Sequence, residues 1–262
     1  EDGTFQGLCE MLDLPYVGCG VTASALAMDK VLAKRQLAAA GVPVVGFEAV
    51  SRKDFEAAPA AFLARCERLP PPLFVKPSVG GSSVGVRKVS SRAELEEAVR
   101  FALRFDEAVL VERGVKGREL ECAVLGYRDV QASVVGEIVP GNEFYDYADK
   151  YLLDNAGLIA PADLPAAVSD RLRRIAVEAF TALGGAGLAR VDFLLEGEDG
   201  LFVNELNTLP GFTSISMYPL LWKLTGLPLP RLVDRLVQIA LERHAERRRL
   251  DEGIKDFLAT LV

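Results

Sequence analysis

The sequence contains a single histidine, His244, and that scarcity excludes several chemistries at once. The residue lies in a charged run, Glu242-Arg243-His244-Ala245-Glu246-Arg247-Arg248-Arg249, which reads as a solvated helix end. A Ser-His-Asp or Cys-His system needs an imidazole beside its nucleophile, and a His-based metal site needs several. Any chemistry therefore falls to carboxylates, Lys, Arg, Ser, Tyr and backbone amides. The four cysteines, Cys9, Cys19, Cys66 and Cys122, include no C-x-x-C pair. A structural zinc or a redox pair has no support, and reduced, buried thiols are expected. No apolar run reaches the ~18 residues of a bilayer-spanning helix. A basic excess is also missing: 30 Lys and Arg stand against 37 Asp and Glu, a formal net charge of −7. Neither nucleic acid nor a membrane is an expected partner, and the expectation is a cytoplasmic protein.

What is present is a chain of 262 residues, 50% hydrophobic, enough for one large or two medium domains. Thr22 is placed to cap a helix running to about Ala40, with Gly41 and Pro43 after its end. Leu73-Phe74-Val75 reads as a strand delivering Lys76. Ser91 and Glu94 have capping-box spacing and open a helix to about Phe105. Ala108 to Glu112, Glu119 to Leu125 and Val130 to Ile138 read as strands. Pro140 to Pro161 is a long, Tyr-rich connection of low periodicity, a length that marks functional lids or disorder. Ser169 to Leu183 is an amphipathic helix. Leu188 to Leu195 and Gly200 to Leu206 form a hairpin. Leu232 to Leu241 is a helix with two apolar rows, Leu232-Leu236-Ala240 and Val233-Val237-Leu241; Leu250 to Val262 is a short helix or a tail. Helices mixed with strands, several in hairpins, predict an α+β or mixed α/β fold. A boundary falls near Arg113-Gly114. Thr4 to Gly20 read as the last helix and strand of an earlier domain.

Four segments carry chemistry. Lys76-Pro77-Ser78-Val79-Gly80-Gly81-Ser82-Ser83-Val84-Gly85 places a lysine at a strand end before a loop of small residues. Such a loop lets backbone N–H groups approach phosphate oxygens, and Lys76 adds a point charge. Taken alone, the loop serves equally as a hairpin turn. In the hairpin, pairing around Glu198 and Asp199 sets Asp192 roughly opposite Glu205, with Asn207 on the same face. Two carboxylates so close repel unless neutralised, and a hard divalent cation bridging to nucleotide phosphates fits; another register would leave ordinary exposed acids. Leu209 to Met217 follows, where Gly211 permits close backbone approach. Its Ser/Thr run caps a helix or leaves an N-terminus for a carboxylate. The fourth segment, Phe144-Tyr145-Asp146-Tyr147-Ala148-Asp149-Lys150-Tyr151, reads as a lid or as a surface loop with partly buried rings.

Taken together these segments resemble the D-alanine–D-alanine ligase family. The stretches that carry the likeness are Glu1-Asp2-Gly3-Thr4, Tyr16-Val17-Gly18, Ala23 to Lys30, Val75 to Val86, Phe144 to Tyr151, Ala189 to Phe193, Asn204 to Thr213 and Ser214 to Pro219. They keep the family's order across about residues 1 to 241. The resemblance implies an ATP-grasp fold of two α+β subdomains clamping ATP, with residues 1–29 a remnant of an N-terminal α/β substrate domain. Residues 30–113 then form the central subdomain, 114–243 the catalytic subdomain and 244–262 a tail. It further implies that Lys30 and Lys76 contact the phosphates, with Ser82 and Ser83 among the nucleotide-binding positions. Glu112, Arg113, Val115 and Glu119 match positions that hold adenine and ribose. Asp192, Glu205 and Asn207 match the ligands of Mg²⁺ or Mn²⁺, two ions being expected. Ser82, Lys150 and Tyr151 match the residues that close the site, and Arg190 and Gly211 the groups around the tetrahedral centre. Ser216 and Met217 match the second-substrate pocket. The activity implied is ATP-dependent joining of two D-alanine molecules through an acyl phosphate, by a homodimer. The alternatives are a D-alanine–D-lactate ligase, another ATP-grasp carboxylate ligase, or an inactive nucleotide-binding fragment.

Overall fold

A computed structural model describes residues 1–139, 157–213 and 215–261. The chain opens with two short helices, α1 (Thr4–Met11) and α2 (Val21–Met28), followed by α3 (Lys30–Ala39). The single helix expected from Thr22 to Ala40 is thus two. Asp29 leaves the helical region (φ −86°, ψ 103°) and caps α3 by accepting a hydrogen bond from the Leu32 amide. The break has a purpose that periodicity does not show. Asp29 also bridges to Val79 of the glycine loop and accepts a 2.5 Å hydrogen bond from Ser78 Oγ. Gly41 does supply the left-handed turn beyond the end of α3, at φ +77°.

The first sheet follows. Its strands β1 (Phe47–Ser51), β2 (Leu73–Pro77), β3 (Arg87–Val89) and β4 (Ala108–Arg113) lie in the order β1-β4-β2-β3, each pair antiparallel. Helices α4 (Arg52–Ala57), α5 (Pro59–Cys66) and α6 (Arg92–Ala102) interleave with them. Phe55, Phe62, Leu95 and Val99 pack with Val75, Val109 and Val111 in one core. The Ser91 hydroxyl caps α6 by accepting from the Glu94 amide, while the Glu94 carboxylate accepts from the amide of Ser90, one residue earlier than the expected box would place it.

The second sheet holds β5 (Arg118–Gly126), β6 (Gln131–Val139), β7 (Gly157–Ile159), β8 (Gly187–Glu196) and β9 (Gly200–Asn207), ordered β7-β6-β5-β8-β9 and antiparallel throughout. Strand β7 was hidden inside the connection expected from Pro140 to Pro161: three residues are too few for an alternation to register. Among the described residues the remaining helices are α7 (Ala166–Ala182), α8 (Met217–Leu224) and α9 (Leu229–Ala259). One face of this sheet is apolar along its length. Leu120, Cys122, Val124, Ala189, Val191 and Phe193 pack under α7, and Ala33 and Leu37 of α3 join the same core. The packing of α3 therefore ties the residues just after Asp29 to the second sheet. On the opposite face, Ala123, Leu125 and Leu188 lie beneath Tyr218, Leu221 and Trp222 of α8 and Leu232, Leu236 and Ile239 of α9. Further along the same strands that face turns polar, and none of the described helices packs on it in a shared apolar core.

Helix α9 exceeds the span expected for it and buries one apolar row. It runs 31 residues, well past Leu241, so the final segment continues the helix. Of its two apolar rows only Leu232-Leu236-Ala240 is buried; Val233, Val237 and Leu241 are exposed. Nor is His244 a solvated end: its side chain is 15% exposed and stands 3.5 Å from Asp13. All four cysteines are free and buried, as expected.

Candidate active site between two sheets

The polar end of the second sheet is built by alternation. Residues two apart on a strand share a face, so Glu119 and Glu121 of β5 and Arg190 and Asp192 of β8 all point away from the α7 core. Register then aligns them: Glu121 lies opposite Asp192, and Asp192 opposite Glu205. The last pairing needs a bulge. Pairing proceeds from Glu196 with Gly200 to Phe193 with Val203, and a regular hairpin would then set Asn204 against Asp192. The register instead shifts by one between Asp192 and Phe193. One extra residue flips the phase of the strand. Val203 and Leu206 are buried in the core, while Glu205 and Asn207 turn to the cavity.

Three carboxylates thus stand in a row on adjacent strands, which costs repulsion unless cations intervene. Arg190 is the resident one. Its Nε and Nη2 donate to both oxygens of Asp192, at 2.6 and 2.7 Å, and Nε stands 3.2 Å from Glu121. Burial opposes the charge of Arg190, but Asp192 and Glu121 outweigh it and raise its pKa. With Arg190 among them, no three His, Cys, Asp or Glu side chains converge on one point among the described residues. The donor set nevertheless suits a hard cation: two facing carboxylates and the Asn207 amide oxygen, which accepts from the Leu209 amide at 3.1 Å.

Opposite this acid row stand lysines. Lys30, at the N-terminus of α3, donates from Nζ to the Gly80 carbonyl at 2.5 Å, and burial foremost lowers its pKa. Lys76 leaves β2 on the face away from the α5–α6 core and meets Glu112, its diagonal neighbour on β4. Glu112 also holds Lys34 of α3 at 3.0 Å. Burial alone would raise the Glu112 pKa, but the two lysines hold it down at about 2.

The glycine loop lies between. Its entrance is pinned: the Lys30 amide donates to Ser78 O at 2.8 Å, and the Val79 amide donates to Asp106 at 2.7 Å. Beyond the pin, Ser82 and Ser83 adopt left-handed backbone at φ 54° and 58°, a conformation costly for non-glycine residues and concentrated at ligand-clamping loops. A Cβ on Gly80 or Gly81 would meet nothing within 4 Å, whereas one on Gly85 would sit 2.7 Å from Pro77. The tip is open and the base is packed.

Lys30, Gly80, Gly81, Ser82, Glu119, Glu121, Arg190, Asp192, Glu205, Asn207, Gly211 and Ser216 line a single cavity of about 690 Å³. A smaller one of about 130 Å³ adds Lys76 and Ser83 and shares Lys30, Ser82, Glu119 and Glu205. Gly211 lets the Ser216 hydroxyl approach closely, since a Cβ there would lie 2.9 Å from Ser216 Oγ and push it aside. The Ser216 hydroxyl is engaged by Thr213, accepting from its amide at 3.0 Å, and so does not cap α8. Some expected positions lie elsewhere. Met217 is buried, and its sulfur would meet a Cβ on Gly136 at 2.7 Å, so it backs the cavity without lining it. Arg113 grips Glu196 through two hydrogen bonds of 3.0 and 2.8 Å and covers Phe202. Neither Arg113 nor Val115 lines either cavity. Glu112 lies behind Lys76. Lys150, Tyr151 and the rest of the Phe144–Tyr151 segment fall outside the described residues.

The profile described as "D-ala D-ala ligase C-terminus" matches residues 36–238, most of the chain. The chain belongs to the D-alanine–D-alanine ligase family. It is 50% identical over 249 residues to the D-alanine–D-alanine ligase of Solibacter usitatus, covering 95% of this chain and 75% of that protein. Against D-alanine–D-alanine ligase A of Salmonella typhimurium it is 49% identical over 251 residues, covering 95% and 68%. Among solved structures, the D-alanine–D-alanine ligase of Coxiella burnetii superposes with a TM-score of 0.87 at 39% identity, over 99% of this chain and 69% of that one. The VanG D-Ala:D-Ser ligase of Enterococcus faecalis gives 0.83 at 38%, over 92% and 69%. The fold is the ATP-grasp fold of these ligases, with the cavity between its two sheets.

Within that ligase framework two side chains were missed from sequence. Lys34 follows Lys30 by four residues, one turn along the same helical face. Glu121 follows Glu119 by two, on the same face of a strand. Both spacings are legible once the element type is known.

Proposed function

We propose that the chain carries out ATP-dependent ligation of two D-alanine molecules to D-alanyl-D-alanine, a step of peptidoglycan precursor synthesis. The observation that supports this best is the placement of Lys30, Lys76 and the glycine loop on one side, and Glu121, Asp192 and Glu205 on the other, of two cavities that share Lys30, Ser82, Glu119 and Glu205. ATP phosphates need cations and backbone amides on one side and metal-held carboxylates on the other.

A carboxylate does not acylate an amine in water unless activated. Transfer of the γ-phosphoryl group to the carboxylate of the first D-alanine gives an acyl phosphate. The free amine of the second D-alanine attacks its carbonyl, and phosphate leaves. Lys30 and Lys76 orient the phosphates, with Ser82 and Ser83 beside them. Glu119, Arg113 and Val115 are assigned to the adenosine half on the strength of the motif match; Glu112, sealed behind Lys76 and lining neither cavity, is left out of that half. Arg190 and the Gly211 amide stand near the carbonyl, where an oxyanion develops. Ser216 and Met217 are assigned to the second-substrate pocket; Lys150 and Tyr151 are assigned to closing the site from the sequence pattern alone.

Asp192, Glu205 and Asn207 would hold Mg²⁺ or Mn²⁺, two ions in all. The ions supply charge neutralisation on the transferring phosphoryl group. Arg190 keeps Asp192 oriented and its neighbours neutralised in their absence. A homodimer working in the cytoplasm completes the proposal. For the second substrate, the curated relatives at about 50% identity are named D-alanine–D-alanine ligases, which favours alanine. The test is phosphate release from ATP with D-alanine, Mg²⁺ and the purified chain, with the dipeptide identified by mass. One phosphate per D-alanyl-D-alanine supports the proposal; ATP turnover without dipeptide refutes it.

A further inference from the structure

Lys34 has no role in the scheme above, yet it is a lysine only 2% exposed. A lone charge buried so deeply is strongly destabilising without a partner. Its partner is Glu112, with Nζ 3.0 Å from Oε2. The other oxygen of that carboxylate, Oε1, receives Lys76. The three side chains differ in what they reach. Those of Lys34 and Glu112 are 3–4% exposed and line neither cavity, while that of Lys76 is 17% exposed and borders the smaller one with the glycine loop. The carboxylate is therefore shared between a lysine sealed in the interior and a lysine at the opening.

Charge counting gives this arrangement a function. With Glu112 alone, Lys76 would form a neutral pair and offer phosphate a dipole. With Lys34 behind, the triad carries one net positive charge, and the only member able to meet a ligand is Lys76. In a site of low effective dielectric that difference is large. We infer that Lys34 is a positioning residue for nucleotide binding: it neutralises Glu112 from the interior, so that Glu112 does not cancel the charge Lys76 presents to the phosphates. This rests on the reading of Lys76 as a phosphate ligand.

Calorimetric titration of ATP and of adenosine into the whole chain tests it, with the parent, K34R, K34M and K34M/E112Q. K34M should weaken ATP binding about tenfold, the scale of one charge at short range, and leave adenosine binding unchanged. K34R should bind ATP like the parent. K34M/E112Q removes one positive and one negative charge, so ATP affinity should return to within about threefold of the parent. A support role for packing alone would weaken both ligands together, and that result overturns the inference; so does unchanged ATP affinity in K34M. Should K34M fail to fold, the double variant decides, because it buries no lone charge. Parent-like preference for ATP over adenosine upholds the inference, and a tenfold loss of that preference overturns it. A parent chain that binds ATP no better than adenosine overturns the phosphate reading itself, and this inference with it.

Discussion

The two sheets solve one electrostatic problem with opposite signs. The first sheet, with α3, brings cations to the cavity: Lys30, Lys76 and, behind them, Lys34. The second brings anions: Glu119, Glu121, Asp192 and Glu205. Each carries one residue of the opposite sign to hold its set together. Glu112 lies between two lysines, and Arg190 lies between Glu121 and Asp192. The counter-charges differ in depth. Glu112 is sealed behind the lysines, so the cationic lip is fixed in place before any ligand arrives. Arg190 lines the cavity among its acids, open to whatever enters it. A cationic lip with a sealed counter-charge thus faces an anionic lip whose counter-charge is open to the cavity.

That contrast is breakable. The largest effect is expected at Glu205, where the bulge exists to turn a carboxylate toward the cavity. Glu205→Gln should lower Mg²⁺-dependent phosphate release on the order of a hundredfold, the scale of losing charge stabilisation on a transferring phosphoryl group, with the thermal midpoint nearly unchanged. Full activity there would remove the metal assignment. Next comes Lys76→Met. Losing a charged contact of about 1.5–3 kcal/mol corresponds to roughly ten- to hundredfold weaker ATP binding. Stability should fall only modestly, because Lys34 still pairs with Glu112. A collapse of stability with ATP affinity retained would mean that Lys76 serves the fold.

The pH dependence sharpens the same point. Glu112 has its pKa held at about 2, below the ordinary 4.5. Its contribution to stability is therefore complete above about pH 4.5 and is lost as pH falls through about 2. Urea midpoints measured over that window should drop with acid, and Glu112→Gln should flatten the slope. An equal slope in that variant would show that another carboxylate carries the acid sensitivity. The smallest expected effect distinguishes the two ends of the glycine loop. Gly85→Ala places a Cβ against Pro77 at a positive φ and should cost about 1–3 kcal/mol. Gly81→Ala enters open space and should stay within about 0.5 kcal/mol. Equal thermal midpoints for the two would contradict the packed base and open tip.

Much of this was readable in the residues. The Lys76 loop and the acid hairpin each carry a local pattern, a strand end followed by small residues or a turn flanked by alternating strands. What escaped reading is non-local. The bulge at Asn204 leaves no mark in Leu201-Phe202-Val203-Asn204-Glu205, where plain alternation would have put Glu205 with Leu201 and Val203 in the core. The break at Asp29 is set by its contacts to Ser78 and Val79, fifty residues away. Met217 reads as a pocket residue by motif, but the absence of a Cβ on Gly136 gives its side chain a place in the core. The exposed row Val233-Val237-Leu241 has the same spacing as the buried one, and only the position of the sheet decides between them.

The division of labour between the lips is tested most directly by ATP affinity measured with and without Mg²⁺. The comparison needs the parent, Lys76→Met, Glu205→Gln and the double variant. Because the two side chains belong to separate lips, Glu205→Gln should abolish the gain in affinity that Mg²⁺ gives and leave Mg²⁺-free binding intact. Lys76→Met should weaken Mg²⁺-free binding and preserve the gain. Their effects on Mg²⁺-free ATP should add in the double variant to within about 0.5 kcal/mol. A Mg²⁺ gain that survives Glu205→Gln, or disappears with Lys76→Met alone, would contradict the assignment of cations to one sheet and metal-holding acids to the other.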